Sequence, residues 1–146
     1  MTPQDFVEWY GNGSDGSSPT EQQWERIFNL PTDAAITLVN FFKLNSDAVY
    51  PSDFTGMDTD ISGQEAFSRY ASVSIPTLEK VGGHFLHVGP FAGQFIGEEE
   101  EWDVIAIGKY PHRQSLIDLY SDEGYRNVFV HRSAACARQK VLMATA

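Results

Sequence analysis

The sequence predicts an α+β domain in which helices cover one side of a four-stranded antiparallel sheet. Segments rich in β-branched and aromatic residues alternate with amphipathic segments in the order strand, helix, strand, strand, helix, strand. Capping and turn residues separate several of these segments. This order is the split βαβ pattern of ferredoxin-like folds, which is the fold class that we expect.

The predicted sheet domain occupies residues 34–146, and residues 1–33 are expected to form a helical N-terminal arm. Pro3 to Tyr10 can make two helical turns, and a Gly- and Ser-rich linker from Gly11 to Ser17 follows. The capping-box pattern Ser18-Pro19-Thr20-Glu21 then predicts a second helix, with Ser18 as its N-cap.

Within the sheet domain, each predicted element carries the apolar periodicity of its type. The predicted strands are Ile36 to Leu44, His84 to Phe91, Val104 to Tyr110 and Val141 to Ala144. The predicted helices follow the N-cap Ser62, begin at Pro111, and run from about Glu123 to Arg138. Pro76 lies inside the first of these helices and is expected to kink or split it.

The composition is that of a single acidic globular domain. The chain has 146 residues, of which 42% are hydrophobic, and 20 Asp and Glu against 10 Lys and Arg give a net charge of −10. This charge repels phosphate backbones and anionic lipids, so we expect neither nucleic acid nor membranes as partners. Cys136 is the only cysteine, which excludes an internal disulfide. The N-terminal residues lack the features of a secretory signal, so the expected location is the cytoplasm.

The strand from Ile36 to Leu44 is largely apolar on both faces. Helices can cover only one face of such a sheet, so a second cover is needed. The same face of another copy would supply it, which predicts a homodimer. The N-terminal arm is the alternative cover.

Several motifs, taken in one order, resemble a bacterial protein family. They are ITLVNFFKL, SGQEAFSRY, LEKVGGHFLHVG, EEEEWDVIAIGKYP and YRNVFVHRSAA. Together they resemble the family catalogued as domain of unknown function 1330, and the arm is similar to that of its longer members. The resemblance implies a ferredoxin-like fold, a dimeric α/β barrel and no established activity. The chain has His112-Arg113 where the family usually has Ser-Arg, which predicts a weaker helix cap there.

Arg132 is the most informative candidate site residue, because it lies in the apolar stripe of the last helix. A guanidinium there must be paired or must face a cavity, since an unpaired buried charge is very costly. One interpretation is a structural salt bridge to Glu65, Asp103 or Asp118. The other is a clamp for a carboxylate or phosphate of a ligand.

Four further candidates are expected in the same pocket, between the sheet and the helices. His131 adjoins Arg132 and is the candidate general acid or base, although neighbouring helical residues are about 100° apart and need not share a pocket. Asn40 interrupts an apolar strand face and must find hydrogen-bond partners. Trp102 and Tyr110 would shape an apolar slot, although core packing explains them equally well.

We predict no metal site and no cofactor. The spacing of His84 and His87 would place them on opposite faces of a regular strand, where they cannot share one ion. Glu98 to Glu101 are expected to form a solvated loop.

The sequence therefore favours a protein that binds a small anionic or aromatic molecule, or a cofactor-independent enzyme, with its pocket between the sheet and the helices. The alternative is a non-catalytic dimeric module, in which the same polar residues only brace the fold.

Overall fold

The structure is a computed structural model that describes residues 1–145; Ala146, the last residue of the predicted sheet domain, lies outside the described residues. The helices are α1 (Pro3–Tyr10), α2 (Glu21–Phe28), α3 (Gly63–Lys80), α4 (Arg113–Ser121) and α5 (Glu123–Ala135). The strands are β1 (Ile36–Leu44), β2 (His84–Pro90), β3 (Val104–Tyr110) and β4 (Cys136–Thr145). None of the helices within this range is both long and apolar enough to cross a membrane.

The four strands form one antiparallel sheet in the order β2-β3-β1-β4. One helical connection follows β1 and a second follows β3, which gives the βαββαβ order. The predicted ferredoxin-like α+β fold is therefore confirmed. The central pair, β1 and β3, has the bounds that the sequence predicts.

Helix α3 begins and ends at the residues that local chemistry selects. The Ser62 hydroxyl accepts a hydrogen bond from the Glu65 amide at 3.0 Å. At the other end Gly82 has φ +92°, and the amides of Gly82 and Gly83 bond back to the carbonyls of Glu79 and Leu78 in a Schellman motif. Pro76 lies inside the helix without splitting it.

Several predicted boundaries are wrong. Helix α4 begins at Arg113 rather than Pro111, β2 ends at Pro90 rather than Phe91, and the larger errors concern α2, α5 and β4. Helix α2 is capped by Thr20 rather than Ser18, because Thr20 and Gln23 form the reciprocal capping box. Helix α5 ends at Ala135, so Cys136 belongs to a strand of ten residues that starts well before Val141. Pairing along the whole length of β1 outweighs the helical pattern of this segment.

The first turn of α4 shows the weak cap that the sequence predicts. His112 occupies the N-cap position, and its side chain makes no capping hydrogen bond. The amide groups of that turn therefore lack the partner that a serine hydroxyl would provide.

Helices α1 and α2 pack into the same apolar core as α4 and α5. The rings of Phe6 and Trp24 stack with their centroids 4.2 Å apart. Tyr10 contacts Phe129 at 4.8 Å between ring centroids, and Trp24 contacts Tyr120 at 5.2 Å. The arm thus lies on the helical side of the sheet, and it does not cover the opposite, outer face.

Candidate functional site

Arg132 is buried between α5, α3 and the sheet, and it is only 5% exposed. Its Nε donates to Oε1 of Gln139 at 2.8 Å, and its Nη1 donates to the Tyr70 hydroxyl at 3.0 Å. The guanidinium carbon lies 4.8 Å from the centre of the Phe42 ring. Neutral polar groups and aromatic faces therefore surround this charge.

No carboxylate of the described chain forms a salt bridge with Arg132. Asp103 pairs instead with Lys43 at 3.4 Å, and Asp118 accepts from the Gln114 amide at 2.8 Å. Glu65 bonds to Ser62. The predicted structural ion pair with Glu65, Asp103 or Asp118 is therefore wrong, and the positive charge of Arg132 remains without a counter-ion among residues 1–145.

A cleft of about 530 Å³ opens beside Arg132. It lies between α2 with the linker before it, the free edge of β4, and helices α4 and α5. Its apolar walls include Trp24, Ile27, Leu38, Leu116, Phe129 and Met143. Its lining residues within the described chain include Arg26, Arg132 and Lys140 but no Asp or Glu, although the Lys140 ammonium pairs with Glu100 on the outer face of the sheet. In a chain with twice as many acidic as basic residues, this composition favours an anion.

A second, inner cavity of about 60 Å³ lies between the sheet and the helices, and Arg132 lines it as well. Tyr70 and Tyr125 share a hydrogen bond of 2.6 Å between their hydroxyl oxygens. Burial raises the pKa of Tyr110 and of Tyr125 well above the usual range, so both hydroxyls stay protonated. The volume is enough for a few water molecules, at about 10–15 Å³ each.

Three of the five predicted site residues, Asn40, Tyr110 and Arg132, meet at this inner cavity. Asn40 donates from Nδ2 to the Ala106 carbonyl at 3.0 Å, so part of its hydrogen-bonding capacity braces β1 against β3. Arg132 alone of the three also lines the larger cleft.

His131 does not share these cavities, because it lies on another side of α5. Its Nδ1 lies 2.7 Å from the Tyr50 hydroxyl, and its ring packs on Phe54 with the centroids 5.6 Å apart. Arg69 donates to the same hydroxyl at 3.3 Å. Burial, and secondarily the charge of Arg69, lower the pKa of His131, so its ring is neutral at pH 7.

Trp102 is also separate from Arg132, because it packs on the outer face of the sheet. Its ring centroid lies 5.7 Å from that of Phe41, and the guanidinium carbon of Arg138 lies 4.4 Å above its ring. Its Nε1 donates to Glu100, which also pairs with Lys140 at 2.6 Å. These hydrogen bonds, that of Lys140 foremost, lower the pKa of Glu100.

The sequence reasoning missed Gln139 and the linker as parts of the site. The sequence predicts a helix that ends at Arg138, just before Gln139, whereas Gln139 lies inside β4. Its Nε2 donates to the Ser17 carbonyl at 3.5 Å, which joins the linker to the strand. No local pattern marks this contact, because the two residues are distant in sequence.

A β-bulge corrects the interpretation of the two strand histidines. The pairing between β2 and β3 shifts between Phe85 and His87, so that His84 pairs with Lys109 and His87 with Ile107. Both histidines therefore lie on the outer face rather than on opposite faces. Over residues 1–145, no three His, Cys, Asp or Glu side chains are grouped as a metal site would need.

The fold and the cleft define a ferredoxin-like α+β protein with a buried, unneutralised arginine beside a ligand-sized space. The chain belongs to the family described as domain of unknown function 1330, whose model matches residues 56–146. No curated protein matches it.

Solved structures extend the comparison. A protein of unknown function from Rhodopseudomonas palustris is 26% identical with a TM-score of 0.77, over 88% of this chain and 95% of that chain. Its methylated form has the same identity and TM-score, over 88% of this chain and 93% of that chain. A protein from Bacteroides fragilis NCTC 9343, described as dimeric and ferredoxin-like, is 9% identical with a TM-score of 0.42, over 77% of this chain and 96% of that chain.

Proposed function

We propose that this protein binds a small organic anion in the cleft beside Arg132. The observation that carries the proposal is the Arg132 guanidinium, which is 5% exposed and lacks a carboxylate partner among the described residues. The guanidinium of arginine stays protonated in proteins, so deprotonation cannot remove the buried charge. A ligand carboxylate would supply the missing counter-charge and the strong hydrogen bonds of an ionised pair.

The surroundings of Arg132 support binding rather than bracing alone. Its Nε and Nη1 are occupied by Gln139 and Tyr70, whereas Nη2 has no hydrogen-bond partner in residues 1–145. The cleft volume of about 530 Å³ falls within the usual range for small-molecule sites. An apolar wall with one charged group fixes the orientation of a ligand, which is the ordinary design of such sites.

Thermal unfolding with matched acids and amides tests this proposal. We expect hexanoate and benzoate to raise the melting temperature, and hexanamide and benzamide to have little effect. Arg132→Met should weaken binding of the acids by about 10- to 150-fold, since hydrogen bonds to charged groups contribute about 1.5–3 kcal/mol. Arg138→Met, which removes an arginine from the outer face, is the matched control and should bind normally. Equal binding by Arg132→Met and the unchanged chain would reject the proposal and favour a bracing role.

We further propose that the protein is a cytoplasmic homodimer that pairs through the outer face of the sheet. Val39, Phe41 and Ile107 are only half-buried on this face, and Leu142 is 50% exposed. Because the arm packs on the opposite side, a second copy is the cover that this chain itself can provide. The single cysteine supports the reducing location.

Native mass spectrometry of the purified protein tests the dimer. We expect a species of twice the 16.3 kDa chain mass, and Ile107→Lys should convert it to a monomer. Val49→Lys places the same charge on an exposed apolar residue outside this face and should leave the dimer intact. A monomeric unchanged chain would refute pairing. Mass released only on denaturation would identify a ligand directly.

A further inference from the structure

The cleft beside Arg132 has a distinct polar end. Gln139 accepts from Arg132 and donates to the Ser17 carbonyl at 3.5 Å, and it pairs with Phe42 across the sheet. Helix α2 begins four residues after Ser17, following its N-cap Thr20, and Ser17, Thr20 and Gln139 all line the cleft. The positive end of the α2 dipole and the Arg132 charge therefore lie at the same end of the cleft.

The opposite end of the cleft is aliphatic. Strand β4 runs from Gln139 to Met143, which pairs with Leu38, and four residues of strand span about 13 Å. Leu38, Met143, Ile27 and Leu116 all line the cleft. The buried charge of Arg132 and this aliphatic surface therefore lie at different positions along β4, whereas the exposed Arg26 adjoins Ile27 on α2.

Helix α2 forms the wall of the cleft that lies across from β4. Arg113, in the first turn of α4, donates to the Phe28 carbonyl at 2.6 Å and so holds the C-terminal end of α2. The other end of α2 follows the linker that contacts Gln139. The cleft is thus elongated, with β4 on one side and α2 on the other.

The cationic groups of the cleft match one negative charge better than several. Lys140 is already paired with Glu100 at 2.6 Å, and Arg26 is exposed. Arg132 is therefore the one buried cation among the described lining residues. A single carboxylate fits this arrangement, whereas a polyanion would need further buried donors.

We infer that the ligand is a medium-chain aliphatic carboxylic acid that lies lengthwise along β4, with its carboxylate at Arg132 and its tail towards Met143. This inference rests on the proposed function and adds the class and the orientation of the ligand. A compact aromatic acid would leave the aliphatic end empty, and a phosphorylated polar molecule would leave most of the wall without apolar contact.

Calorimetric titration of the full chain with butyrate, hexanoate, octanoate and decanoate tests this inference. We expect the affinity to rise about fourfold for each methylene that enters the cleft. Met143→Asn should weaken decanoate and leave butyrate unchanged, whereas Arg132→Met should weaken every acid by a similar factor. Ala144→Asn, at an exposed position on the same strand that does not line the cleft, is the control and should leave the whole series unchanged.

The possible failures separate the two proposals. If all chain lengths bind equally and still need Arg132, the inference on the ligand is rejected and the anion site remains. If no acid binds, or if Arg132→Met binds normally, both are rejected. If decanol binds as tightly as decanoate, the tail is held without Arg132, and the lengthwise pose is also rejected.

Discussion

The two sides of α5 each bury a side chain that can carry a positive charge, and they accommodate it differently. On one side, Arg132 keeps its charge and lines two cavities, held by Tyr70 and Gln139. On the other, burial and Arg69 keep the neighbouring His131 neutral, and it bonds to Tyr50 and packs edge to face with the Phe54 ring.

The difference follows from the chemistry of the two side chains. A histidine that is desolvated can release its proton, so its burial needs only one hydrogen-bond partner. An arginine keeps its proton, so its buried charge must be stabilised by neutral acceptors, by aromatic faces or by an anion. The Arg132 side therefore keeps a charge without a counter-ion among residues 1–145, which is the basis of the proposed anion site, whereas the His131 ring is neutral and bonds to Tyr50.

The largest expected effect on stability comes from Arg132, where two variants separate the contribution of the side-chain volume from that of the charge. Arg132→Ala should lower the free energy of unfolding by about 2–4 kcal/mol, because it leaves a cavity beside Phe42 and Phe129. Arg132→Met fills the same space and should cost less than about 1 kcal/mol or stabilise the fold. Urea unfolding of both variants without ligand measures the difference. If Met costs as much as Ala, the charge itself stabilises the fold, and the contrast between the two sides disappears.

A smaller effect comes from removing one hydroxyl on each side of α5. Tyr70→Phe should cost about 1–3 kcal/mol, because Arg132 and Tyr125 both lose a buried partner. Tyr50→Phe is the matched change on the other side and should cost less, because Tyr50 is only half-buried and water can replace it. Denaturant midpoints and slopes measure both variants. A larger loss for Tyr50→Phe would show that the His131 side is the more tightly constrained.

The sequence predicts a helix or strand well where its hydrophobic periodicity agrees with the capping, Gly and Pro residues at its ends. The bounds of β1 and β3 follow from runs that are rich in β-branched and aromatic residues, and the end of α3 follows from Gly82-Gly83. The junction of α5 and β4 was missed because no Gly or Pro separates them. Only the long-range pairing of Cys136 with Leu44 sets that boundary.

The candidate site is also predictable only where a local sequence pattern marks it. Arg132 stands out because a charge in an apolar stripe is visible in a single helix. Its partner Gln139 and the linker at Ser17 are brought together by the fold, so no local pattern marks them. The bulge that turns His87 to the same face as His84 is likewise invisible to a period of two.

The smallest expected effect is the pH dependence that His131 contributes to stability. Because burial lowers its pKa in the folded chain, the unfolded chain binds the proton more readily. The free energy of unfolding should therefore fall as the pH drops below about 6.5, and this contribution should stop changing below the folded-state pKa. Urea unfolding from about pH 7.5 to about pH 5.5 covers this window and avoids most carboxyl titration.

His131→Gln should flatten this pH dependence, because glutamine can still bond to Tyr50 but does not titrate. His84→Gln, at an exposed position on β2, is the control and should keep the slope of the unchanged chain. If His131→Gln keeps the full slope, His131 is not held neutral by its surroundings. That result would support a general acid or base role for His131 near neutral pH, and it would contradict the difference proposed between the two sides of α5.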